Sequence, residues 1–454
     1  FLNSLPIGTS GAIGSTFNVM SDRYQEIKKA YDAGKMEEAG KMQSEVNKAI
    51  EAMISCGVMP SIKYILSKQG IPCGNCREPF SAVTEEQKTL LSAAQSEYSE
   101  LIAVYGRRRV GKTYLIRETF GYKFTFQHTG LAKGKTKEQL FSFAISLRDA
   151  GYDDCPIPQS WLEAFSLLSH YLKNSTDEKK IIFLDELPWM DTPRSNFLSA
   201  FEHFWNGWAA GQSHLMLIVC GSATSWISDK LLQNKGGLYG RTTYEMHLSP
   251  FTLGECEEYM KNEGIIMDRY DQLQCYMVMG GIPYYLSYLD KGESLAQNID
   301  RLFFKKGGKL RGEFEPLYAS IFSTPEKYIK IIKLLASKRE GYTREEISKE
   351  TGISSGSGLT TMLRALEASD FIIRYVYYKH SMREVYYKLT DLYTLFYLYF
   401  IDKKNTNQDF WKNNLISPAL NAWRGFSFEE VCFVHSEKIK EAFRIVKLIK
   451  KDDN

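Results

Sequence analysis

The chain has 454 residues, 44% hydrophobic and 13% aromatic, which is enough to bury several cores and to divide into roughly three domains. Lys and Arg number 57 against 54 Asp and Glu, and the resulting formal charge of +3 is too small to hold a polyanion by net charge alone, so any basic surface must be local. The apolar run at residues 392–401 is about half of what a bilayer crossing takes, and no basic-then-apolar leader precedes it, so a cytoplasmic protein without membrane spans is expected. The eight Cys are scattered, and Cys220, Cys275 and Cys432 stand in apolar surroundings, which reads as buried free thiols without disulfides.

In chain order, residues 1–95 open with a Gly/Ser-rich stretch at 8–15 and continue as helical patterns at 21–33, 35–55 and 60–69, with one further helix from Thr84. At 101–105 the pattern changes to a short apolar strand, and 181–184 and 215–220 are two more, with helical segments between them. Such alternation predicts an α/β core, a parallel sheet covered by helices, over residues 96–250. After Pro250 the strands stop, and helices at 252–263 and 268–278 form a smaller helical unit that ends at Gly280-Gly281-Ile282-Pro283. A basic linker with Arg301, Lys305, Lys306, Lys309 and Arg311 completes residues 251–320. Residues 321–392 read as helix, helix, turn, helix and two strands. Thr343 with Glu346 makes a capping box, and Gly352 breaks the second helix. Leu359, Met362, Leu363 and Leu366 line one face of the third, and strands at 371–379 and 384–389 turn about His380-Ser381. This is the layout of a winged helix-turn-helix. Residues 393–454 follow as a helical tail.

Gly106-Arg107-Arg108-Arg109-Val110-Gly111-Lys112-Thr113 fits G-x-x-x-x-G-K-[ST], between a strand and a helix as that phosphate-binding loop requires. Gly106 and Gly111 let backbone N–H groups face a polyphosphate, and the N-terminus of the following helix adds partial positive charge. Lys112 then reaches the β- and γ-phosphates of ATP, and the Thr113 hydroxyl ligates Mg²⁺, a hard ion that keeps most of its waters. The second half of such a site is an acidic pair ending a buried strand, supplied by Asp185 and Glu186 after Ile181-Ile182-Phe183-Leu184. Asp185 holds the metal through water, and Glu186 polarises the attacking water. The strand at 215–220 ends in Gly221-Ser222, which brings the Ser222 hydroxyl toward the γ-phosphate or that water. Arg241, in Leu238-Tyr239-Gly240-Arg241 before a strand at 243–247, is read either as an arginine finger or as a surface residue of a Gly-rich loop.

Tyr105 to Thr113 (YGRRRVGKT), Asp185 to Phe197 (DELPWMDTPRSNF), Cys220 to Trp226 (CGSATSW) and Gly280 to Leu286 (GGIPYYL) together resemble the archaeal-type ATPases of the AAA+ superfamily. The resemblance implies that Lys112 and Thr113 are the Walker A pair, Asp185 and Glu186 the Walker B pair, Ser222 the sensor residue and Pro283 the lid turn beside the nucleotide. It also implies a homo-oligomer in which Arg241 points toward the neighbour's γ-phosphate. In that family a segment touching adenine precedes the loop; its place here is taken by residues 84–97, whose pattern differs. Residues 425–435 resemble the start of the family's nuclease-like domain, and no acidic D…E-x-K motif follows before residue 454, so nuclease activity is not expected. Residues 1–95 are similar to the C-terminal part of sialic acid aldolases (N-acetylneuraminate lyases), through Gly11 to Asn18 (GAIGSTFN) and Cys76 to Phe80 (CREPF). Those enzymes are (β/α)₈ barrels, and the strands that carry their Schiff-base lysine and tyrosine have no counterpart here. A mostly helical barrel fragment, inactive as an aldolase, is expected.

On the third helix of the winged element Thr360, Thr361 and Arg364, and at its wing Lys379, His380 and Arg383, suit phosphate contacts, while Glu367 opposes them. DNA and a protein partner therefore stand side by side. Cys73-Gly74-Asn75-Cys76 lacks a second ligand pair for zinc, and Gly352-Ile353-Ser354-Ser355-Gly356 follows a helix rather than the strand that a nucleophile elbow needs. The reading is an ATP-binding, Mg²⁺-dependent ATPase or nucleotide switch; the alternative is an ATP-binding regulator of DNA or protein that does not turn over.

Overall fold

A computed structural model describes residues 1–9, 11–12, 14–55, 57–71, 73–74, 84–233, 236–376, 385–402 and 407–443. The chain divides into two compact units, one of residues 1–103, 113–220 and 236–246, the other of residues 104–112, 221–235 and 247–454. Among the described residues no helix is long and apolar enough to cross a membrane.

The first unit is organised by a five-stranded sheet of β1 (Glu100–Tyr105), β2 (Phe126–Thr129), β3 (Lys180–Asp185), β4 (Leu215–Gly221) and β5 (Tyr244–His247), in the order β2-β3-β4-β1-β5. β2 with β3 and β3 with β4 run parallel, with His128 opposite Leu184 and Val219 opposite the same residue on the other side. Every residue of β4 is buried, as expected of a continuous apolar run in a parallel sheet covered on both faces. The strand that sequence periodicity overlooked is β2, whose burial alternates and whose Gln127 and His128 dilute the apolar signal. Its place comes from pairing with β3.

Helices α5 (Lys112–Thr119), α6 (Thr136–Asp149) and α7 (Trp161–Asn174), with the helix Phe197–Gly207, follow the strands. α7 starts where Ser160 accepts a hydrogen bond from the Glu163 N–H. Its Trp161 packs edge-on against Phe143 of α6 at 5.6 Å and Phe197 at 4.9 Å, an aromatic layer that fixes these helices to one another.

Residues before β1 form α1 (Phe17–Asp32), α2 (Met36–Ser55), α3 (Val58–Lys68) and α4 (Glu85–Gln95), and no strand precedes β1 among the described residues. Tyr24, Ile27, Ala39 and Val46 make one small core of α1 and α2, and Val19, Met53 and Ile62 a second. Two exposed ion pairs, Lys48–Glu178 at 2.6 Å and Glu51–Lys123 at 2.7 Å, join α2 to the sheet-bearing part of the same unit. Exposed pairs of this kind contribute little. α4 is capped by a Thr84–Gln87 box and buries Leu90 and Ala93. The Cys76–Phe80 motif, and with it half of the Cys73–Cys76 pair, lies outside the described residues.

In the second unit the helix Leu253–Asn262 begins with a Thr252–Glu255 capping box, and the helix Arg269–Met279 ends at Gly280 with φ +67°. The basic stretch after it was expected as a linker and is packed instead. Helical structure runs from Leu295 to Phe304, with Leu302, Phe303, Phe304 and Leu310 buried, because these apolar residues lie between the basic ones. Arg301 pairs with Glu293 at 2.6 Å, and buried Asp300 accepts the N–H groups of Trp411 at 2.8 Å and Lys412 at 3.1 Å.

Three helices follow, Pro325–Leu335, Arg344–Thr351 and Ser357–Ala368, with an antiparallel sheet β6 (Tyr342–Thr343), β7 (Ile372–Val376) and β8 (Val385–Leu389) in the order β6-β8-β7. The Thr343–Glu346 box and Gly352 at φ +67° stand where sequence put them, and Leu359, Met362, Leu363 and Leu366 are buried. The residues Lys379, His380 and Arg383, expected at the wing, lie outside the described residues. Cys220 and Cys275 are buried, whereas Cys432 is only half-buried, since its helix Pro418–Val434 turns that face outward.

His128 gives the first unit a pH dependence. The ring is 3% exposed and bonded through Nδ1 to the Ser146 hydroxyl at 2.8 Å, and burial lowers its pKa to about 4. An unfolded chain takes up the proton near pH 6.5 while the folded one refuses it, so stability falls as pH drops from 6.5 toward 4, by roughly 3 kcal/mol if the shift is fully expressed. Chemical denaturation at pH 7 and pH 5 should show this loss, and His128→Gln should flatten it.

Candidate functional site

Between β1 and α5 the backbone adopts conformations that most side chains avoid. Gly106 has φ +146°, Arg109 +75° and Gly111 +94°. A Cβ on Gly106 would run into the Leu248 carbonyl oxygen, so only glycine fits there, whereas nothing lies within 4 Å of one on Gly111. The Leu248 N–H in turn donates to the Tyr105 carbonyl at 2.7 Å, which holds the loop's first residues against the strand end.

Lys112 is buried, and its ammonium donates to the carbonyls of Gly106 at 2.8 Å and Arg107 at 2.9 Å. Val110 is buried in the core of the second unit. The three arginines between the glycines are not equivalent. Arg107 is fully buried and its Nη1 donates to Asp391 Oδ1 at 2.5 Å, with Cζ 4.4 Å above the Phe371 ring. Burial works against its charge, but Asp391 and the neighbouring groups outweigh that and raise its pKa. Arg109 pairs with Glu313 at 2.5 Å and lies 4.5 Å from the centre of the Tyr284 ring. Burial raises the pKa of Glu313, and Arg109 and the Tyr285 hydroxyl oppose that shift. Arg108 is half-buried.

The Gly280–Pro283 turn meets the same loop. The Tyr284 N–H, one residue beyond Pro283, donates to the Arg109 carbonyl at 3.5 Å. Gly280 and Gly281 have φ +67° and +66°, and a Cβ on Gly281 would strike the Phe251 carbonyl. Pro283 opens a short helix, Pro283–Leu286, at the position where its missing N–H costs nothing.

In the first unit the Thr113 hydroxyl donates to Asp185 Oδ2 at 3.0 Å, tying the first turn of α5 to the C-terminal end of β3. Asp185 is 5% exposed, and its other oxygen accepts the Glu186 N–H at 3.0 Å. Glu186 sits in the left-handed region, φ 47° and ψ 46°, a conformation costly for a non-glycine residue and common at functional turns. Ser222, directly after β4, is fully buried. Arg241 is exposed, in a turn where its N–H donates to the Leu238 carbonyl at 3.0 Å. The structure thus joins Thr113 to Asp185, Lys112 to its own loop and Arg109 to the Pro283 turn, and leaves Arg241 on the surface. Asp391, Glu313 and Tyr284 were not singled out from sequence; three consecutive cations inside a loop of this kind were the available signal that buried carboxylates must answer them.

The loop after β1 has the G-x-x-x-x-G-K-[ST] pattern of a phosphate-binding loop, and β3 ends in an acidic pair. Residues 84–289 match the family model described as ATPase domain predominantly from Archaea, and residues 1–97 match that of the dihydrodipicolinate synthetase family. Both matches include residues 84–97. An uncharacterized protein of Methanocaldococcus jannaschii is 27% identical over 364 residues, 76% of this chain and 75% of that one. The N-acetylneuraminate lyase of Rhizobium meliloti is 38% identical over 93 residues, 20% of this chain, and the match spans only 31% of the lyase. A Walker-type ATPase of Pyrococcus abyssi has the same fold with a TM-score of 0.50 and 17% identity, over 71% of this chain and 97% of that one.

The two glycines of the loop should respond differently to a methyl group. Gly106→Ala meets a backbone oxygen in addition to its strained φ and should lose roughly 3 kcal/mol of stability, whereas Gly111→Ala meets only strain and should lose roughly 1 kcal/mol. Denaturation midpoints of the two variants, compared with the parent, test the ranking.

Proposed function

We propose that the chain binds ATP with Mg²⁺ at residues 106–113 and hydrolyses it, using the Asp185-Glu186 pair. The observation that supports this best is the Thr113–Asp185 hydrogen bond at 3.0 Å, which puts two hard oxygen donors side by side. No group of three or more His, Cys, Asp or Glu suited to a metal occurs among the described residues. A pair of oxygens suits an ion that keeps several waters, as Mg²⁺ does. When bound, such an ion supplies positive charge that neutralises the phosphate oxygens.

This chain's residues then have separable roles. The backbone of residues 106–112 receives the phosphates, and Lys112, steadied by the carbonyls of Gly106 and Arg107, turns its charge toward the β- and γ-phosphates. Glu186, turned by its left-handed backbone, takes the proton of the attacking water. Ser222 orients that water or the γ-phosphate, and Pro283 belongs to the turn that covers the nucleotide. Arg241, exposed in its turn, suits a finger that reaches a neighbouring copy, which makes the chain a homo-oligomer when active. The partner driven by this cycle is read at the winged element of residues 321–392, where Thr360, Thr361 and Arg364 are exposed on the helix Ser357–Ala368. Arg364 has Asp229 4.0 Å away, and Glu367 engages Arg374 at 3.0 Å, so the positive field of this face is partly cancelled. A protein partner fits that field better than the DNA duplex does.

Lys112→Ala should weaken ATP binding at least tenfold, and Glu186→Gln should bind ATP like the parent while hydrolysing it ~10²–10⁴-fold more slowly. Arg241→Ala should keep its affinity and lose turnover, and mixing it with Lys112→Ala should restore activity, because each supplies what the other lacks. Calorimetric titration and phosphate release check these outcomes. Equal turnover of Glu186→Gln and the parent defeats the hydrolysis reading, and stimulation of turnover by duplex DNA defeats the preference for a protein partner.

A further inference from the structure

Arg107 stands in the middle of the loop proposed to bind phosphate, yet its side chain points into the protein interior. It is 0% exposed, and within hydrogen-bond reach it has Asp391 at 2.5 Å. Its Nε and Nη2 find no hydrogen-bond partner among the described residues, with the Phe371 ring 4.4 Å from Cζ as the remaining compensation. Burying a guanidinium with N–H groups unsatisfied is costly, and an apolar residue of similar volume would fill the same space at less cost. What the arginine adds beyond packing is a fixed orientation, set by a charge pair.

That orientation reaches Lys112. The carbonyl of Arg107, with that of Gly106, accepts the Lys112 ammonium at 2.9 and 2.8 Å. The far end of the chain of contacts is equally fixed. Asp391 Oδ2 accepts the Thr394 N–H at 3.0 Å and caps the helix Leu392–Phe396. A Cβ on Gly280 would come within 3.1 Å of the Tyr393 nitrogen and 3.6 Å of Asp391 Oδ1, so the turn before Pro283 closes over the same pair. A second anchor, Arg109 on Glu313, holds the other side of the loop.

We propose that Asp391 is a positioning residue of the nucleotide site: by seating Arg107 it fixes the loop carbonyl on which Lys112 rests, and so aims the lysine at the phosphates. The proposal rests on Lys112 being the phosphate ligand. It makes the shape of the nucleotide loop depend on a residue that immediately follows the β7–β8 hairpin, 284 positions away. Movement of that segment by a partner would be felt at the phosphates.

The test is titration of Mg·ATP and Mg·ADP into the full chain, together with the unfolding temperature of the nucleotide-free protein. The set is the parent, Lys112→Ala, Asp391→Asn, Arg107→Met, Asp391→Leu and the double variant Arg107→Met with Asp391→Leu. Asn keeps the size of Asp and its ability to cap the helix while losing the charge. The two apolar substitutions together remove the pair without stranding either charge, so the double variant should regain the unfolding temperature that each single apolar variant loses. Asp391→Asn and the double variant should nonetheless bind ATP and ADP roughly tenfold more weakly than the parent, a difference of about 1.4 kcal/mol. A pair that only packs would recover affinity along with stability, so parental affinity in the double variant or in Asp391→Asn overturns the proposal. If Lys112→Ala binds as the parent does, the nucleotide-site reading itself fails and takes the proposal with it.

Discussion

A loop that is to present its own backbone to a ligand, as proposed for residues 106–111, cannot also spend that backbone on holding itself together. Residues 106–111 meet this constraint with left-handed or glycine-only conformations at Gly106, Arg109 and Gly111, and the stabilisation is supplied from outside. Arg107 and Arg109 anchor on Asp391 and Glu313, the Tyr284 N–H binds the Arg109 carbonyl, and the Leu248 N–H binds the carbonyl of Tyr105. The rest of the second unit is arranged so that two carboxylates arrive at one loop: Glu313 just ahead of the helix Phe314–Ile321 and Asp391 at the start of the helix Leu392–Phe396.

The first unit answers a different demand. Thr113 and Asp185 must meet, and they belong to the first turn of α5 and the end of β3. Their meeting is a property of the strand-helix-strand path, in which a fully buried β4 pairs with β3 and leaves both strand ends at the same edge of the sheet. Glu186 follows at once in a left-handed turn, and a Cβ on Gly130 would come within 2.8 Å of its carbonyl, so the turn is held by close backbone approach as well.

The segment before β1, which matches the synthetase family model, is helical over its described residues. Its two small cores join α1 with α2 and then α1, α2 and α3 together, and its ion pairs with Glu178 and Lys123 are exposed. Apolar faces at helical spacing suffice to pair neighbouring helices. Both family matches include α4, which has a capping box and buries Leu90 and Ala93.

Local sequence determined the glycine-lysine-threonine loop, the acidic pair, the apolar strands β1, β3 and β4, and the capping boxes at Thr252 and Thr343, because each depends on residues within one turn or one strand of each other. The segment 295–311 read as a basic linker because its charges dominate a local window, whereas Phe303, Phe304 and Leu310 decide its fate by being buried against distant residues. Edge strand β2 was invisible for a similar reason: four residues, three of them polar, become a strand only when β3 offers its backbone. The identity of the carboxylates that hold Arg107 and Arg109 belongs to tertiary structure alone. Nothing in the neighbourhood of Asp391 or Glu313 marks either as a partner of the loop at 106–111, since an ion pair is specified by proximity in space and these lie hundreds of positions from the arginines they hold.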